Sequence, residues 1–299
     1  MAKPDSFRVA VVGAGAVGGF FGAHLAEAGH DVVFCVRRPF DRIVVESATA
    51  PVDRAAVCLV DPSGASAVDL VVLAVKAGDT GSVASWLASL SGPSTTVAVL
   101  QNGVDHVARV SPFVRTQMIV PAVVYVSAEL VAPGHVRHDT NRRLVVPADD
   151  GGRRLVAAYD GSAIEVSLSA DWKTEAWRKL CANVSINALT ALTRSSADIL
   201  HRPDIAELAL VLMRECTAVA NAEGAHLADD TPEQVLTRQR ALPAHSRSSM
   251  LYDVLAGRPL EHDALHGAVL RGGQRHGIAT PTTAIIHALL DALSASPAG

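Results

Sequence analysis

The sequence predicts an α/β chain in two parts, a parallel-sheet domain over residues 1–169 and an all-helical domain over residues 170–299. Three features carry that expectation. A short apolar run, Arg8–Val12, leads straight into a glycine-rich turn and a helix-like segment. Further continuous apolar runs, Asp69–Val75 and Thr95–Leu100, have the character of central strands covered on both faces. Beyond Asp171 the period becomes helical and strand signals almost vanish.

The turn reads Gly13-Ala14-Gly15-Ala16-Val17-Gly18, the spacing GxGxxG. The first glycine permits a tight exit from the strand, the second lets a pyrophosphate approach bare backbone, and the third lets the helix pack close to the strand. Phosphate charge would sit at the helix N-terminus, formed here around Ala16 and Val17. An apolar β-branched run before the motif and a helix over Phe20–Glu27 after it make this a Rossmann-type dinucleotide site. A second strand over Asp31–Val36 ends where an acidic side chain would grip the ribose 2′-OH of NAD; the chain has Arg37 and Arg38 there. Two guanidiniums suit a 2′-phosphate, so the expected cofactor is NADPH. The alternative is two solvated arginines after a strand.

The remaining elements follow in order. Ile43–Ser47 and Ala56–Val60 read as a strand pair at the sheet edge. The run Asp69–Val75 ends at Lys76, a helix over about Gly81–Ser89 follows, and the run Thr95–Leu100 ends at Gln101-Asn102-Gly103. Both polar endings fall at carboxyl ends of parallel strands, where ligands bind in an open α/β sheet. Met118–Val126, Gly134–His138, Arg142–Val146 and Ile164–Leu168 read as strands completing that sheet. Helices are expected over Trp172–Thr193, Asp204–Glu223, Thr231–Ala241, Asp263–His276 and Thr282–Ser294.

Composition bounds the function. A chain of 299 residues with 49% hydrophobic residues can bury two cores. Net charge is −4, which gives no nucleic-acid surface, and no segment reads as a leader or membrane span. Four scattered cysteines without a CxxC pair suit a reducing cytoplasm. No metal-type spacing of histidines with acids is apparent among the twelve histidines. Only Lys3, Lys76, Lys173 and Lys179 among 26 basic residues are lysines, so an internal lysine stands where arginine would not serve.

On the helix over 172–193, Trp177, Leu180, Cys181, Val184, Ala188 and Ala191 form an apolar stripe. Lys179, Asn183 and Asn187, four apart, form a ladder beside it. One reading is a solvated face with Glu175 and Lys179 as an i,i+4 ion pair worth about 0.3–0.5 kcal/mol. The other is a functional ladder, since two asparagines cost about 1 kcal/mol of helix propensity with no surface benefit.

GAGAVGG at 13–19, LAVK ending at Lys76, QNG at 101–103, AWRKLCANVSINALTAL at 176–192, SSML at 248–251, GRPLEHDALHG at 257–267 and HGIATP at 276–281 together resemble the ketopantoate reductase family. The resemblance spans nearly the whole chain in the family's order. It implies NADPH-dependent reduction of 2-dehydropantoate to pantoate in pantothenate biosynthesis, and a helical domain like the C-terminal domain of 6-phosphogluconate dehydrogenase. By the same resemblance Lys179 is the catalytic lysine that polarises the ketone and supplies the proton, and Glu261 holds the substrate hydroxyl. Asn102, Asn183, Asn187 and Ser249 match substrate-binding positions; Lys76 and Asn102 match positions at the nicotinamide end; Arg37 matches the 2′-phosphate contact. A developing alkoxide would be stabilised by a desolvated ammonium able to give up a proton, which arginine does not readily do. Burial is expected to lower the Lys179 pKa and Glu261 to oppose that. Glu261 has a second reading, as an acid at the N-terminus of the helix that begins at Asp263.

The chain departs from the family pattern around Glu261, where Leu260, His262 and His266 replace the usual neighbours, and at Ser246 and Ala188. The expected function is therefore reduction of a small 2-oxo acid, with ketopantoate first. Two alternatives are a related reductase of another 2-oxo acid or ketone in secondary metabolism, and a non-catalytic NADPH-binding sensor. No metal, membrane or nucleic-acid partner is expected, and a homodimer is compatible with the sequence.

Overall fold

The computed structural model describes residues 6–116 and 118–295; Lys3 lies outside them. The chain divides into two compact units, one running through Gln101 with Asp105–Trp172, the other comprising Asn102–Val104 and the chain from Lys173 on. The first is α/β and the second is helical.

In the first unit, β1 (Arg8–Val12), α1 (Ala16–Glu27) and β2 (Asp31–Cys35) form the opening crossover. The helix is buried on every side from Gly18 to Leu25, which fits a segment with almost no polar side chain. It ends where Gly29, at φ +93°, takes the left-handed turn that lets the His30 amide donate to the Leu25 carbonyl. Then come β3 (Arg42–Glu46), β4 (Val52–Ala55), β5 (Val57–Leu59), β6 (Leu70–Leu73), α2 (Ala84–Leu90), β7 (Thr96–Val99), α3 (His106–Val110) and β8 (Ile119–Pro121). The six-stranded parallel sheet runs β5-β2-β1-β6-β7-β8. Strand order reverses between β2 and β6 on either side of β1, so the carboxyl ends of β1 and β6 form the switch point where open α/β sheets bind ligands.

The sheets differ from expectation in three respects. The edge pair Ile43–Ser47 with Ala56–Val60 does not form: β3 pairs antiparallel with β4, while β5 joins β2. The strands after residue 118 do not all complete the main sheet either. Only β8 joins it; β9 (Val123–Ala132), β10 (His135–Pro147) and β11 (Glu165–Ser169) form a second sheet with β3 and β4, in which β9 also pairs β10. Pro121 separates β8 from β9, so one apolar run supplies strands to two sheets. The expected strands at 134–138 and 142–146 are one continuous strand, interrupted by bulges near Thr140.

A helix absent from the sequence expectation, α4 (Asp150–Ala158), is capped by the Asp149 carboxylate, which accepts from the Gly152 amide at 2.8 Å. Its two leading glycines hide the helical signal, yet they are what the packing requires. A Cβ on Gly152 would stand 1.9 Å from the Pro147 carbonyl oxygen, and one on Gly151 would stand 2.5 Å from Val120.

The second unit contains α5 (Trp172–Thr193) from its second residue on, α6 (Pro203–Ala222), α7 (Thr231–Arg240), α8 (Ser249–Leu255), α9 (Ala268–His276) and α10 (Pro281–Ala295). The stripe Trp177, Leu180, Cys181, Val184, Ala188 and Ala191 is buried, in one core with Leu212, Met213, Cys216 and Val219 of α6. Each fully buried aliphatic side chain contributes about 1.5–3 kcal/mol. The Glu215 carboxylate of α6 accepts the amides of Thr282 and Thr283, capping α10. The short α8 was not expected; its seven residues carry too little periodicity to show. No helix among the described residues is long and apolar enough to cross a membrane.

His24 of α1 is 1% exposed and neither ring nitrogen has a hydrogen-bond partner. Burial, with His138 adding to it, moves its pKa from 6.5 to about 4. With the folded value below the unfolded one, this contribution to stability is complete above about pH 6.5 and is lost as pH falls towards 4. The loss is about 3 kcal/mol at full extent. His24→Leu is expected to shrink the fall in Tm between pH 7 and 4.5 by roughly 5–10 °C, read by thermal circular dichroism. A Tm-against-pH curve parallel to that of the wild type would refute the assignment.

Candidate active site

The glycine turn is built as its sequence implies. Gly13 takes φ +93°, and a Cβ there would stand 2.8 Å from the Val75 amide nitrogen beyond β6. A Cβ on Gly18 would stand 1.9 Å from the Gly13 carbonyl oxygen and 2.9 Å from Ala74 Cβ. Both glycines are therefore needed for the fold itself. Gly15 is different: a Cβ there would meet nothing within 4 Å. No side chain caps α1 and no acid lies in its first turn, so no side chain meets the first N–H groups, around Ala16 and Val17, an arrangement that suits an anion. Bare, open backbone at this helix terminus fits the pyrophosphate of a dinucleotide. Arg37 and Arg38 follow β2, both exposed.

Beyond β6 and β7 a polar network fixes the next two loops. Buried Gln101 donates from Nε2 to the Val75 carbonyl at 3.0 Å and to Thr80 Oγ1 at 2.9 Å, while its Oε1 accepts from Arg109 at 3.1 Å. His106 Nε2 donates to the Gln101 carbonyl at 2.8 Å. Lys76, half-buried, sits at the head of the helical turn Ala77–Val83, its carbonyl accepting from the Asp79 amide. Gln101, Thr80 and His106 had no role in the sequence reading; the QNG motif was the available signal.

In the second unit the ladder on α5 has specific surroundings. Glu175 pairs with Arg178 at 2.7 Å, an i,i+3 pair on the same helix. Lys179 keeps only partial exposure as a residue, and burial of its ammonium brings its pKa from 10.5 down to about 8. Asn183 is half-buried and Asn187 is 4% exposed. Neither side-chain amide makes a hydrogen bond among the described residues. Neither amide is among the fully buried polar atoms that lack a partner, so both are open to water or to a ligand.

Glu261 lies just before a π-helical turn, Asp263–Gly267, which runs into α9. Its Oε2 accepts from Asn102 Nδ2 at 2.8 Å. Asn102 was expected to act from the sheet domain; with Gly103 and Val104 it instead belongs to the second unit, where this bond is made. The segment leading to Glu261 is pinned by Arg258 to Asp253 at 2.9 Å and by the Leu260 amide to Ser294 Oγ at 3.0 Å. Ser249 is exposed at the first position of α8, behind Ser248, whose hydroxyl lies 2.7 Å from that of Thr190 on α5. Thus Lys179, Asn183 and Asn187 share one helix face, and Asn102 and Glu261 form a bonded pair in the same unit. Among the described residues, no group of three or more His, Cys, Asp or Glu could hold a metal ion.

Two family models match the chain, ketopantoate reductase PanE/ApbA over residues 9–151 and ketopantoate reductase PanE/ApbA C terminal over residues 171–294. The chain belongs to the ketopantoate reductase family. A 2-dehydropantoate 2-reductase of Caulobacter vibrioides is 40% identical over 285 residues, covering 95% of this chain and 98% of the relative. A PanE/ApbA family ketopantoate reductase from Ralstonia eutropha has a solved structure with TM-score 0.87 and 33% identity, covering 96% of this chain and 98% of that one. A dimeric ketopantoate reductase from Staphylococcus aureus aligns with TM-score 0.86 and 26% identity over 96% of this chain and 98% of its own. The ketopantoate reductase family comprises oxidoreductases with a nicotinamide cofactor, and this member has the family's α/β fold with a helical C-terminal part.

The contrast between the glycines gives a test. Gly15→Ala is expected to leave Tm within about 2 °C while weakening dinucleotide binding at least tenfold. Gly18→Ala should lower Tm by several degrees, since its methyl must displace backbone. Thermal melts and fluorescence titration with NADPH decide it; equal Tm losses in the two variants would sink the distinction.

Proposed function

We propose that this chain reduces 2-dehydropantoate to pantoate with NADPH, with residues 1–169 as the NADP-binding domain and 170–299 as the substrate and catalytic domain. The observation that carries the reading is the α5 ladder: a desolvated ammonium, Lys179, one and two helical turns from two amides that have no hydrogen-bond partner among the described residues.

When bound, the nicotinamide supplies the hydride. The chain's own residues handle the charge and the proton. As the carbonyl carbon is reduced, negative charge grows on its oxygen; the Lys179 ammonium stabilises that charge and then transfers its proton to the oxygen, giving the alcohol. A pKa near 8 makes the ammonium a far better donor than an exposed lysine while leaving it mostly protonated at neutral pH. Asn183 and Asn187 supply neutral donors and acceptors for the carboxylate and hydroxyl of the substrate, without adding charge next to the ammonium. Glu261 accepts the substrate hydroxyl, oriented by the Asn102 amide on its Oε2. Ser249 is assigned to the same substrate contacts.

For the cofactor, Gly13, Gly15, Ala16, Val17 and Gly18 are assigned to the pyrophosphate, Arg37 and Arg38 to the 2′-phosphate, and Lys76 and Asn102 to the nicotinamide end. The exposed arginines with no acid in their place support NADPH over NADH. The four cysteines are free thiols, which supports a cytoplasmic setting, and the dimeric Staphylococcus aureus relative supports a homodimer.

Steady-state NADPH oxidation with 2-dehydropantoate beside a panel of other 2-oxo acids tests the substrate. 2-Dehydropantoate is expected to lead in kcat/KM by at least tenfold; another acid leading would overturn the assignment. Lys179→Ala should lower kcat by about 10²–10⁴-fold, and turnover surviving that change would remove the catalytic assignment. Because the active form is the ammonium, kcat should be flat below about pH 8 and fall above it. Arg37→Ala with Arg38→Ala should raise KM for NADPH at least tenfold and leave that for NADH within twofold.

A further inference from the structure

We propose that His266 is a positioning residue: its Nε2–H, donating to the Val184 carbonyl at 2.9 Å, holds the π turn that follows Glu261 onto α5 at the rung between Asn183 and Asn187. The inference deepens the reductase reading and rests on it for its kinetic arm.

The ring is 0% exposed. A carbonyl only accepts, so Nε2 carries the hydrogen and Nδ1 is left as a buried acceptor without a partner. A buried acceptor without a partner is unfavourable, so the position holds a polar ring at the expense of stability. Burial brings its pKa from 6.5 to about 4, with His287 and His262 adding to the shift, so the donor is the same neutral tautomer throughout the neutral range.

The bond joins two things that must keep register. On one side is α5, whose Val184 directly follows Asn183 and precedes Asn187 by three residues. On the other is a five-residue π turn, a geometry concentrated at functional sites because it rotates side chains out of α-helical phase. A Cβ on Gly267 would stand 2.3 Å from Asp263 Oδ1, the end of an exposed side chain that pairs with Arg271. The Glu261 carbonyl accepts from the Leu265 amide at 3.2 Å. A path of one backbone bond, one peptide link and one imidazole therefore runs from Glu261 to the ladder helix. The upstream pins at Leu260 and Arg258 fix where Glu261 starts, and His266 fixes where the turn ends against α5.

The test compares His266→Gln with His266→Asn. Both place an amide in the buried site, but glutamine carries its nitrogen to the position of the imidazole Nε2 and asparagine falls short. Glutamine is expected to keep kcat/KM for 2-dehydropantoate within about threefold. Asparagine is expected to lose at least about tenfold, chiefly as a raised KM for the oxo acid, with KM for NADPH within twofold; misplacement by about 1 Å is enough for such a loss. Amide hydrogen exchange over residues 262–267 should quicken in the asparagine variant and not in the glutamine one. Equal losses in the two variants, no loss in either, or a matching rise in KM for NADPH would overturn the proposal. Should the asparagine variant not fold, His266→Met, which fills the space without a donor, takes its place with the same expected results. If the wild-type protein reduces no 2-oxo acid, the reductase reading fails, and exchange alone decides: unchanged protection in the asparagine variant refutes His266.

Discussion

Removing the Lys179 ammonium from water is the constraint on which the second unit depends. Moving its pKa from 10.5 to about 8 corresponds to roughly 3 kcal/mol against the charged form. A lysine on a loose helix would avoid that cost by swinging its head back to solvent. Helix α5 denies it the freedom. Its apolar stripe is packed into α6, and polar bonds hold it elsewhere: Gln239 of α7 donates to the Ala182 carbonyl at 2.8 Å, His266 to that of Val184, and the Ser248 and Thr190 hydroxyls meet. The ladder residues stand on a helix that has been fixed along most of its length.

The same helix separates polar groups by what they bind. Ser185 and Thr190 are buried and find partners inside the protein, Ser185 in Gln239 of α7 and Thr190 in the Ile186 carbonyl. Asn183 and Asn187 are spaced as regularly and find none among the described residues. Interiors satisfy their structural polar groups almost without exception; these two amides, outside the set of buried unpartnered atoms, stay open, as the proposed substrate contacts require.

The reach of the sequence reading follows from the range of the interactions involved. Helix α5 was legible to its end residues because one period runs through 22 residues. The glycine turn was legible because its constraints, at Gly13 and Gly18, are local clashes. Strand partners were not legible. Whether β4 or β5 pairs β3 depends on registers set by chain far downstream, and Pro121 alone does not say that a second sheet begins after it. Helix α4 hid behind glycines needed for close packing, and a π turn has no period to read. In the candidate site, Lys179 and Glu261 come from family resemblance, whereas the choice of Arg178 as partner for Glu175, and the bond from His266 to Val184, are questions of distance that spacing does not answer.

The single residue Ala56 between β4 and β5 carries the chain from one sheet to the other. The second sheet needs strand β10: His135–Arg137 pairs Val44–Glu46, and the Ser47–His138 bond nearby closes 91 residues of chain. During synthesis, therefore, β3 and β4 leave the ribosome long before the strand that completes their sheet exists. The second sheet therefore rests on pairings of long sequence separation, the kind that form late in folding. For that interval the growing chain carries a β3 edge that only β10 covers in the finished fold.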